Sequence, residues 1–311
     1  MVMVVRNYIG CDISKDSLDF FDSSSGRHSR IANQAAAIAA HVEGLNCGRD
    51  FVVMEATGLH DRLLRHALAA ARIGFSRLNP RHVHHHGKAG RQRAKTDRQD
   101  AALLAGYGRA HEPAADPAPN ENRERLQELI RRRDQLVDAR ADNRKQLKAA
   151  VAPDVMADIQ ATIEFLDGRI DHLEALIKST LAEADHATAA DYDILVSAPG
   201  VSFVTATTLI AMLPELGSRS PKTIAALAGL APFDRQSGKK TFKSQIQGGR
   251  QRVRRALYMA ALSASRYCPQ LARFYASVAT RSGAKKLALI AVARKLLVRL
   301  NAMIRDQKRY A

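Results

Sequence analysis

The first 110 residues switch between strand-like and helix-like patterning in an order that few folds accommodate. Val2–Ile13 is an apolar, β-branched run, and after Ser14-Lys15 come Ser17–Phe21 and His28–Ala32, a succession that predicts three short antiparallel strands. Ala35–Leu45 predicts a helix, Phe51–Met54 a short buried strand, Leu59–Ala71 an amphipathic helix and Gly74–Leu78 a fifth strand. Thr96 is placed to cap a helix running from Asp97 to about Gly106, with Ala101, Leu103 and Leu104 among its apolar residues. The resulting order is β-β-β-α-β-α-β-α.

That order is the one expected of a ribonuclease-H-like, or RuvC-like, α/β domain, which we assign to residues 1–110. Residues 111–188 open with a loop rich in Pro, Ala and Asn (Pro113–Asn120) and continue as two long helical patterns broken at Pro153. In the second pattern Ile159, Ile163, Leu166, Ile170, Leu173 and Ile177 alternate at spacings of four and three, an a/d heptad seam. The first pattern (Leu126, Ile130, Val137, Leu147) is weaker, because Arg133 and Arg140 fall in its seam. An antiparallel coiled-coil hairpin is expected, serving either to space two domains or to dimerise. Residues 189–311 read as mainly helical except around Phe233–Ser244, a polar, Gly-containing and Lys-rich stretch. Ala198-Pro199-Gly200-Val201-Ser202 before Thr205–Leu213 resembles a helix-hairpin-helix turn, whose backbone N–H groups hold DNA phosphates. Ser202 stands where such a turn usually has its second glycine.

The chain has 311 residues with 48 Lys+Arg against 31 Asp+Glu, a formal +17, and 46% hydrophobic residues. It is neither a disordered basic tail nor a membrane-embedded chain, and the surplus suits a protein that handles phosphate backbones. Residues 1–110 hold 16 basic and 10 acidic side chains, 111–190 hold 11 and 16, and 191–311 hold 21 and 5. Polyanion contact is therefore expected chiefly from the last third. Three cysteines (Cys11, Cys47, Cys268) without a CxxC pair support neither a disulfide framework nor a zinc site, and fit a reducing cytosol. Met1–Ile9 is too short and too soon interrupted by Arg6 to be a signal peptide. The uncharged run Ile194–Pro214 is long enough to span a bilayer, but Pro199-Gly200 and its Ser and Thr residues argue against that.

Four carboxylates fall where such a fold gathers them. Asp12 follows the apolar run of the first strand and Glu55 ends the fourth. Asp97 and Asp100, three apart on one helix, share a face. Each taken singly is as well explained as a strand-end, loop or first-turn acid; jointly they can hold Mg²⁺ through hard oxygen ligands and clamp a phosphodiester in line. His82, His84, His85 and His86 lack acidic or cysteine partners and read as part of an exposed basic linker, Arg81 to Lys95, rather than a metal site. Ser237-Gly238, flanked by Arg235, Lys239 and Lys240, reads as a mobile glycine loop, its hydroxyl either a nucleophile toward a phosphodiester or a polar turn residue. Arg250, Arg252, Arg254 and Arg255 crowd the start of the next helix, above an apolar face, and suit backbone contact with DNA.

Asp12 in its strand setting, Glu55-Ala56-Thr57-Gly58 and Lys95-Thr96-Asp97-Arg98-Gln99-Asp100-Ala101 resemble the DEDD signature of the IS110 insertion-sequence transposase family, which includes the Piv invertases. Ala198-Pro199-Gly200-Val201, Ala225–Pro232, Ser237-Gly238 and Arg254–Met259 resemble its C-terminal transposase domain, so the likeness runs the length of the chain in order. It implies a site-specific DNA recombinase with Asp12, Glu55, Asp97 and Asp100 as the Mg²⁺-binding set and Ser237 as the nucleophile that becomes covalently linked to the cleaved strand. Lys95, Arg98, Arg235, Lys239, Lys240 and the four arginines from Arg250 to Arg255 would then touch nucleic acid. The resemblance further implies a homodimer assembling to a tetramer, with the coiled coil swapping domains, a non-coding bridge RNA as a second polyanion beside the element and target DNA, and a bacterial cytoplasm, on the nucleoid, as the setting. Two other readings share these residues: a RuvC-like nuclease or junction resolvase without a covalent intermediate, and a non-enzymatic nucleic-acid-binding protein whose acids are structural.

Overall fold

The computed structural model describes residues 6–56, 58, 60–89, 97–237 and 240–310, and at 88, 89, 97, 234–237 and 240–244 it describes the backbone alone. The chain divides into two compact units, Met1–Pro119 and Asn120–Ala311.

The first unit is built on a five-stranded mixed sheet of order β3-β2-β1-β4-β5. Its strands are β1 (Asn7–Ile13), β2 (Ser17–Asp22), β3 (His28–Ala32), β4 (Asp50–Glu55) and β5 (Gly74–Leu78). β1, β2 and β3 pair antiparallel, as consecutive strands joined by tight turns do, while β4 and β5 add in parallel beside β1. The parallel additions need crossovers, which α1 (Ala35–Glu43) and α2 (Arg62–Ala70) supply. This is the RuvC-like α/β arrangement. Along β1 the side chains alternate between two cores. Ile9, Cys11 and Ile13 pack with Val52 and Met54 against Ile38 and Val42 of α1 and Leu64 and Leu68 of α2. Tyr8 joins Phe51, Val53 and Leu78 on the opposite face, against Val83 and Leu104.

That opposite face carries α3 (Pro80–Ala89) and α4 (Asp97–His111). Histidines 82–86 therefore lie on a helix instead of the linker expected from the sequence. Asn79 starts it by accepting from the Arg81 N–H at 3.0 Å, and burial of Val83 holds it to the sheet. α4 runs five residues past the Gly106 stop expected for it. Gly106 and Gly108 do not break it, because Gly108 lets the helix lie on Tyr8 and Val53; a Cβ there would come within 2.6 Å of the Tyr8 ring. Gly10 does the same from the strand side. A Cβ on Gly10 would collide with the Ala101 carbonyl oxygen and come within 2.6 Å of the Ala105 nitrogen. After α4 the chain lies along the outer edge of β5, where the Asp116 N–H donates to the Phe75 carbonyl at 2.8 Å and Arg77 Nε donates to the Asp116 carboxylate at 2.8 Å. An edge strand is thereby covered.

The second unit opens with the antiparallel pair α5 (Glu121–Ala149) and α6 (Pro153–Ala182), broken before Pro153 as expected. Asn120 caps α5 by accepting from the Arg123 N–H at 2.8 Å. Ile163, Leu166, Ile170, Leu173 and Ile177 of α6 are buried, and Ile159 is half-buried. On α5 Leu126, Ile130 and Leu136 are buried, and the expected Val137 is half-buried in the same cluster as Leu136. The two arginines in that seam are accommodated by partners on α6: Arg133 Nε donates to Glu174 at 2.8 Å, and Arg140 pairs with Asp167.

Six helices complete the unit: α7 (His186–Val196), α8 (Phe203–Met212), α9 (Pro221–Leu227), α10 (Gln251–Tyr267), α11 (Pro269–Ser282) and α12 (Lys285–Asp306). They enclose one core that includes Leu195, Leu209, Leu213, Ile224, Leu257, Ala261, Leu296 and Leu300. The run Ile194–Pro214 is divided between α7 and α8, and among the described residues no helix is long and apolar enough to cross a membrane. Among the described residues the one sheet of this unit is the hairpin of β6 (Pro232–Ser237) and β7 (Lys240–Ile246), where a polar loop was expected.

The glycine contacts of α4 make a stability prediction. Gly10→Ala must push α4 off β1, and overpacking of this kind costs about 1–3 kcal/mol or more. Urea denaturation of the variant is expected to show at least that loss, whereas Gly106→Ala, where a Cβ meets open space, should be neutral or stabilising.

Candidate active site and nucleic-acid interface

The contacts of α4 with β1 set where its acids fall. Tyr8 touches Gly108 and Gly10 touches Ala101 and Ala105, so the helix runs opposite to the strand. Two strand residues and four helix residues each advance about 6 Å, so Asp12 comes level with the first turn of α4, which holds Asp97 and Asp100. Glu55 shares the face of Asp12 by the same alternation, since Phe51 and Val53 belong to the core under α4 and β1 pairs with β4 up to Cys11↔Met54. Asp12, Glu55 and Asp100 are all half-buried. The backbone thus carries all four acids to one end of one sheet face. Lys95 and the Asp97 side chain lie outside the described residues; Arg98 is exposed on α4.

A further carboxylate, not singled out by sequence reasoning, stands beside this set. Asp19 on β2 is the direct cross-strand partner of Asp12, is buried at 8% exposure, and has Arg30 of β3 at 3.7 Å. Two acids facing each other across a ladder repel, and Arg30, opposite Asp19 in the next strand, offsets that. Burial, and then the charges of Asp12 and Asp19, push the Cys11 thiol well up, so it is an inert core residue. Only the strand register reveals Asp19; its i+2 alternation with Ser17 was the available signal.

As donors the carboxylates fit a hard divalent cation such as Mg²⁺. Among the described residues, however, no three His, Cys, Asp or Glu side chains lie close enough to hold a metal ion. The histidines do not provide an alternative: His86 packs edge-on to Tyr107 and His111, ring centroids 5.3 Å apart in each case.

In the second unit Ser237 is the last residue of β6, and its backbone pairs with Lys240 of β7. Gly238 and Lys239 lie outside the described residues, as do the side chains of Arg235, Ser237 and Lys240. The base of this hairpin is closely built. A Cβ on Gly249 would collide with Gly229, both glycines have positive φ (64° and 68°), and Arg254 Nη1 donates to the Gly248 carbonyl at 2.6 Å. Gly200, with φ 83°, presses the turn between α7 and α8 onto the backbone of α10, and Ser202 caps α8 through the Thr205 N–H at 3.5 Å. The substitution of glycine by serine in that turn is thus matched to helix capping.

The four arginines at the start of α10 all have protein partners. Arg250 donates to both oxygens of Glu215, at 2.5 and 2.6 Å. Arg252 pairs with Asp134 and Arg255 with both oxygens of Asp138, at 2.6 and 3.2 Å, so two of the four are held by α5. Burial raises the Glu215 carboxyl, and the Arg250 hydrogen bonds and charge outweigh that and leave it below its ordinary value. The Arg255 hydrogen bond likewise lowers Asp138.

The mixed sheet of order β3-β2-β1-β4-β5 has the RuvC-like arrangement that a DEDD transposase domain suggests. Residues 9–152 match the DEDD transposase model of the IS110 type, and residues 192–276 match the Transposase IS116/IS110/IS902 family. The chain thus carries two transposase domains of the IS110/IS116 type, in order. It is 29% identical to the Pilin gene-inverting protein of Moraxella bovis and 28% identical to that of Moraxella lacunata, in both cases over 97% of each chain. It is also 29% identical to the Insertion element IS900 uncharacterized 42 kDa protein of Mycobacterium paratuberculosis, over 51% of this chain and 40% of that one.

The Glu215–Arg250 pair predicts a pH dependence. A carboxyl whose folded pKa is lowered stabilises the fold above its ordinary value near 4.5 and loses that contribution as pH falls through the lowered value. Glu215→Gln should therefore cost about 1–2 kcal/mol at pH 7. The gap to the parent, measured by denaturant titration, should close as pH falls from the ordinary value through the lowered one.

Proposed function

We propose that the protein is a DNA recombinase that cuts and rejoins strands of an insertion sequence through a covalent phosphoserine link. The observation that carries this reading is the placing of Asp12 and Glu55 on the sheet face whose covering helix begins with Asp97 and Asp100, in a chain with both transposase domains. The pilin gene-inverting relatives, alike over nearly the full length, support DNA strand exchange over plain hydrolysis.

Asp12, Glu55, Asp97 and Asp100 would hold the metal, with Asp19 and Arg30 fixing the charge beside Asp12. Bound Mg²⁺ supplies charge stabilisation to the attacking and leaving oxygens. Ser237 Oγ attacks the scissile phosphorus; the Oγ–P bond forms as the P–O bond to a deoxyribose breaks. The serine proton goes to a base or water, and a proton reaches the departing oxygen. Attack on the phosphoserine by a deoxyribose hydroxyl of another strand reverses these changes, so strands rejoin without ATP. Arg235, Lys239 and Lys240 would neutralise the phosphorane-like charge, while Lys95, Arg98 and the α10 arginines would hold the backbone. Arg254 also anchors the hairpin that carries Ser237.

The same reading includes a bridge RNA as second polyanion, suited to the surplus of residues 191–311, and a homodimer assembling to a tetramer through the α5–α6 coiled coil. Val151, Val155, Met156 and Phe165 are exposed apolar residues of that hairpin which a second copy would cover. Its setting would be the bacterial cytoplasm.

The protein with Mg²⁺, element-junction DNA and RNA transcribed from the flanking non-coding sequence should give a protein–DNA adduct on denaturing gels. Ser237→Ala should remove the adduct and Asp12→Asn should remove both adduct and strand cutting. Cutting by the parent that never yields an adduct would establish a hydrolytic nuclease instead.

A further inference from the structure

The start of α10 presents Arg252 and Arg255, three apart on one face, to Asp134 and Asp138, four apart on α5. These contacts join residues 117 and 118 positions apart, so they are features of the tertiary fold. The two acids stand about 6 Å apart along their helix, each supplying anionic oxygens to one guanidinium, as a run of backbone phosphates does.

The pairs are graded. Arg250 and Glu215 are 37% and 23% exposed and bidentate, beside the base of the hairpin, and Arg252 and Asp134 are 37% and 21% exposed. Arg255 and Asp138 are 60% and 55% exposed. An ion pair that open contributes little net stability and exchanges readily with another anion. It is a weak structural tie, yet it occupies the most accessible guanidinium of these three pairs.

We infer that Asp134 and Asp138 act as an internal phosphate mimic, occupying the Arg252–Arg255 surface until a nucleic-acid backbone displaces them. This rests on the reading above that the α10 arginines contact nucleic acid. The surface is thus a conditional one. A single non-specific phosphate contact must compete with a tethered carboxylate, whereas a correctly seated polyanion, held at several other points, displaces both acids. The device lowers indiscriminate binding by a chain that carries +16 in its last 121 residues.

The test measures affinity of the full-length protein for a 30-base-pair duplex of arbitrary sequence, by fluorescence anisotropy across a salt series. Asp134→Asn/Asp138→Asn should bind roughly three- to tenfold tighter at 0.1 M salt, and each released arginine should steepen the slope of log K against log salt by about 0.9. Asp138→Asn alone, at the more exposed pair, should show a part of the gain while melting like the parent. Asp171→Asn, which removes an exposed acid of α6, controls for net charge. A gain in the acid variants no larger per charge than that control, or affinity unchanged while the melting temperature falls, overturns the inference. Adding Arg252→Gln/Arg255→Gln to the acid variant should abolish the gain. If those arginine changes leave affinity unaltered in both backgrounds, the arginines do not contact nucleic acid and the underlying reading fails.

Discussion

The first unit depends on the close approach of a helix to a strand, with no side chain between them at Gly10. Gly10 lies against the Ala101 carbonyl and the Ala105 amide, and Gly108 lies on Tyr8, so α4 rests on β1 at both ends of their contact. The depth and register of the helix are set by backbone sterics at Gly10 and by the Tyr8 ring under Gly108. Side chains such as Leu104 add burial to a position already determined. The functional consequence is that Asp97 and Asp100 start α4 beside the strand ends that carry Asp12 and Glu55.

The second unit shows how a basic chain stays folded. Arg133 and Arg140 enter a helical seam and are met by Glu174 and Asp167; Arg250, Arg252 and Arg255 are met by Glu215, Asp134 and Asp138. Formal charge by segment places the surplus in residues 191–311, but two of those arginines are neutralised by the net-acidic segment before them. The ends of the hairpin bearing Ser237 are tied down by close contact between Gly229 and Gly249, and Arg254 braces its base by donating to the Gly248 carbonyl.

Local pattern made much of this legible. β3 and β5 follow their sequence readings residue for residue, because alternating or β-branched runs there are bounded by clear turn residues. The placement of Asp12 and Glu55 near strand ends and of Asp97 and Asp100 at the start of one helix was legible because these are local properties. What escaped was decided at a distance. Gly106 read as the helix stop, yet α4 continues to His111 and Gly108 serves its packing on Tyr8. The histidines read as a linker because their composition is polar, while one buried Val83 keeps them helical. Leu136 lies off the heptad spacing, yet it is buried beside Val137 against Leu166 and Leu173 of α6. Asp19 and the carboxylate partners of the α10 arginines depend on strand register and on contacts more than 100 residues apart, which no window of sequence contains.

The central claim is that the acid face of the first unit works on a phosphodiester that becomes attached to Ser237. It is tested most directly by trapping the reaction with Mg²⁺ and junction DNA, digesting with nuclease and trypsin, and locating the nucleotide by mass spectrometry. The nucleotide should be found on the short peptide Gln236–Lys239, and should vanish when Asp12 is replaced by Asn. A nucleotide on any other peptide, or cleaved DNA with no modified peptide at all, would contradict it.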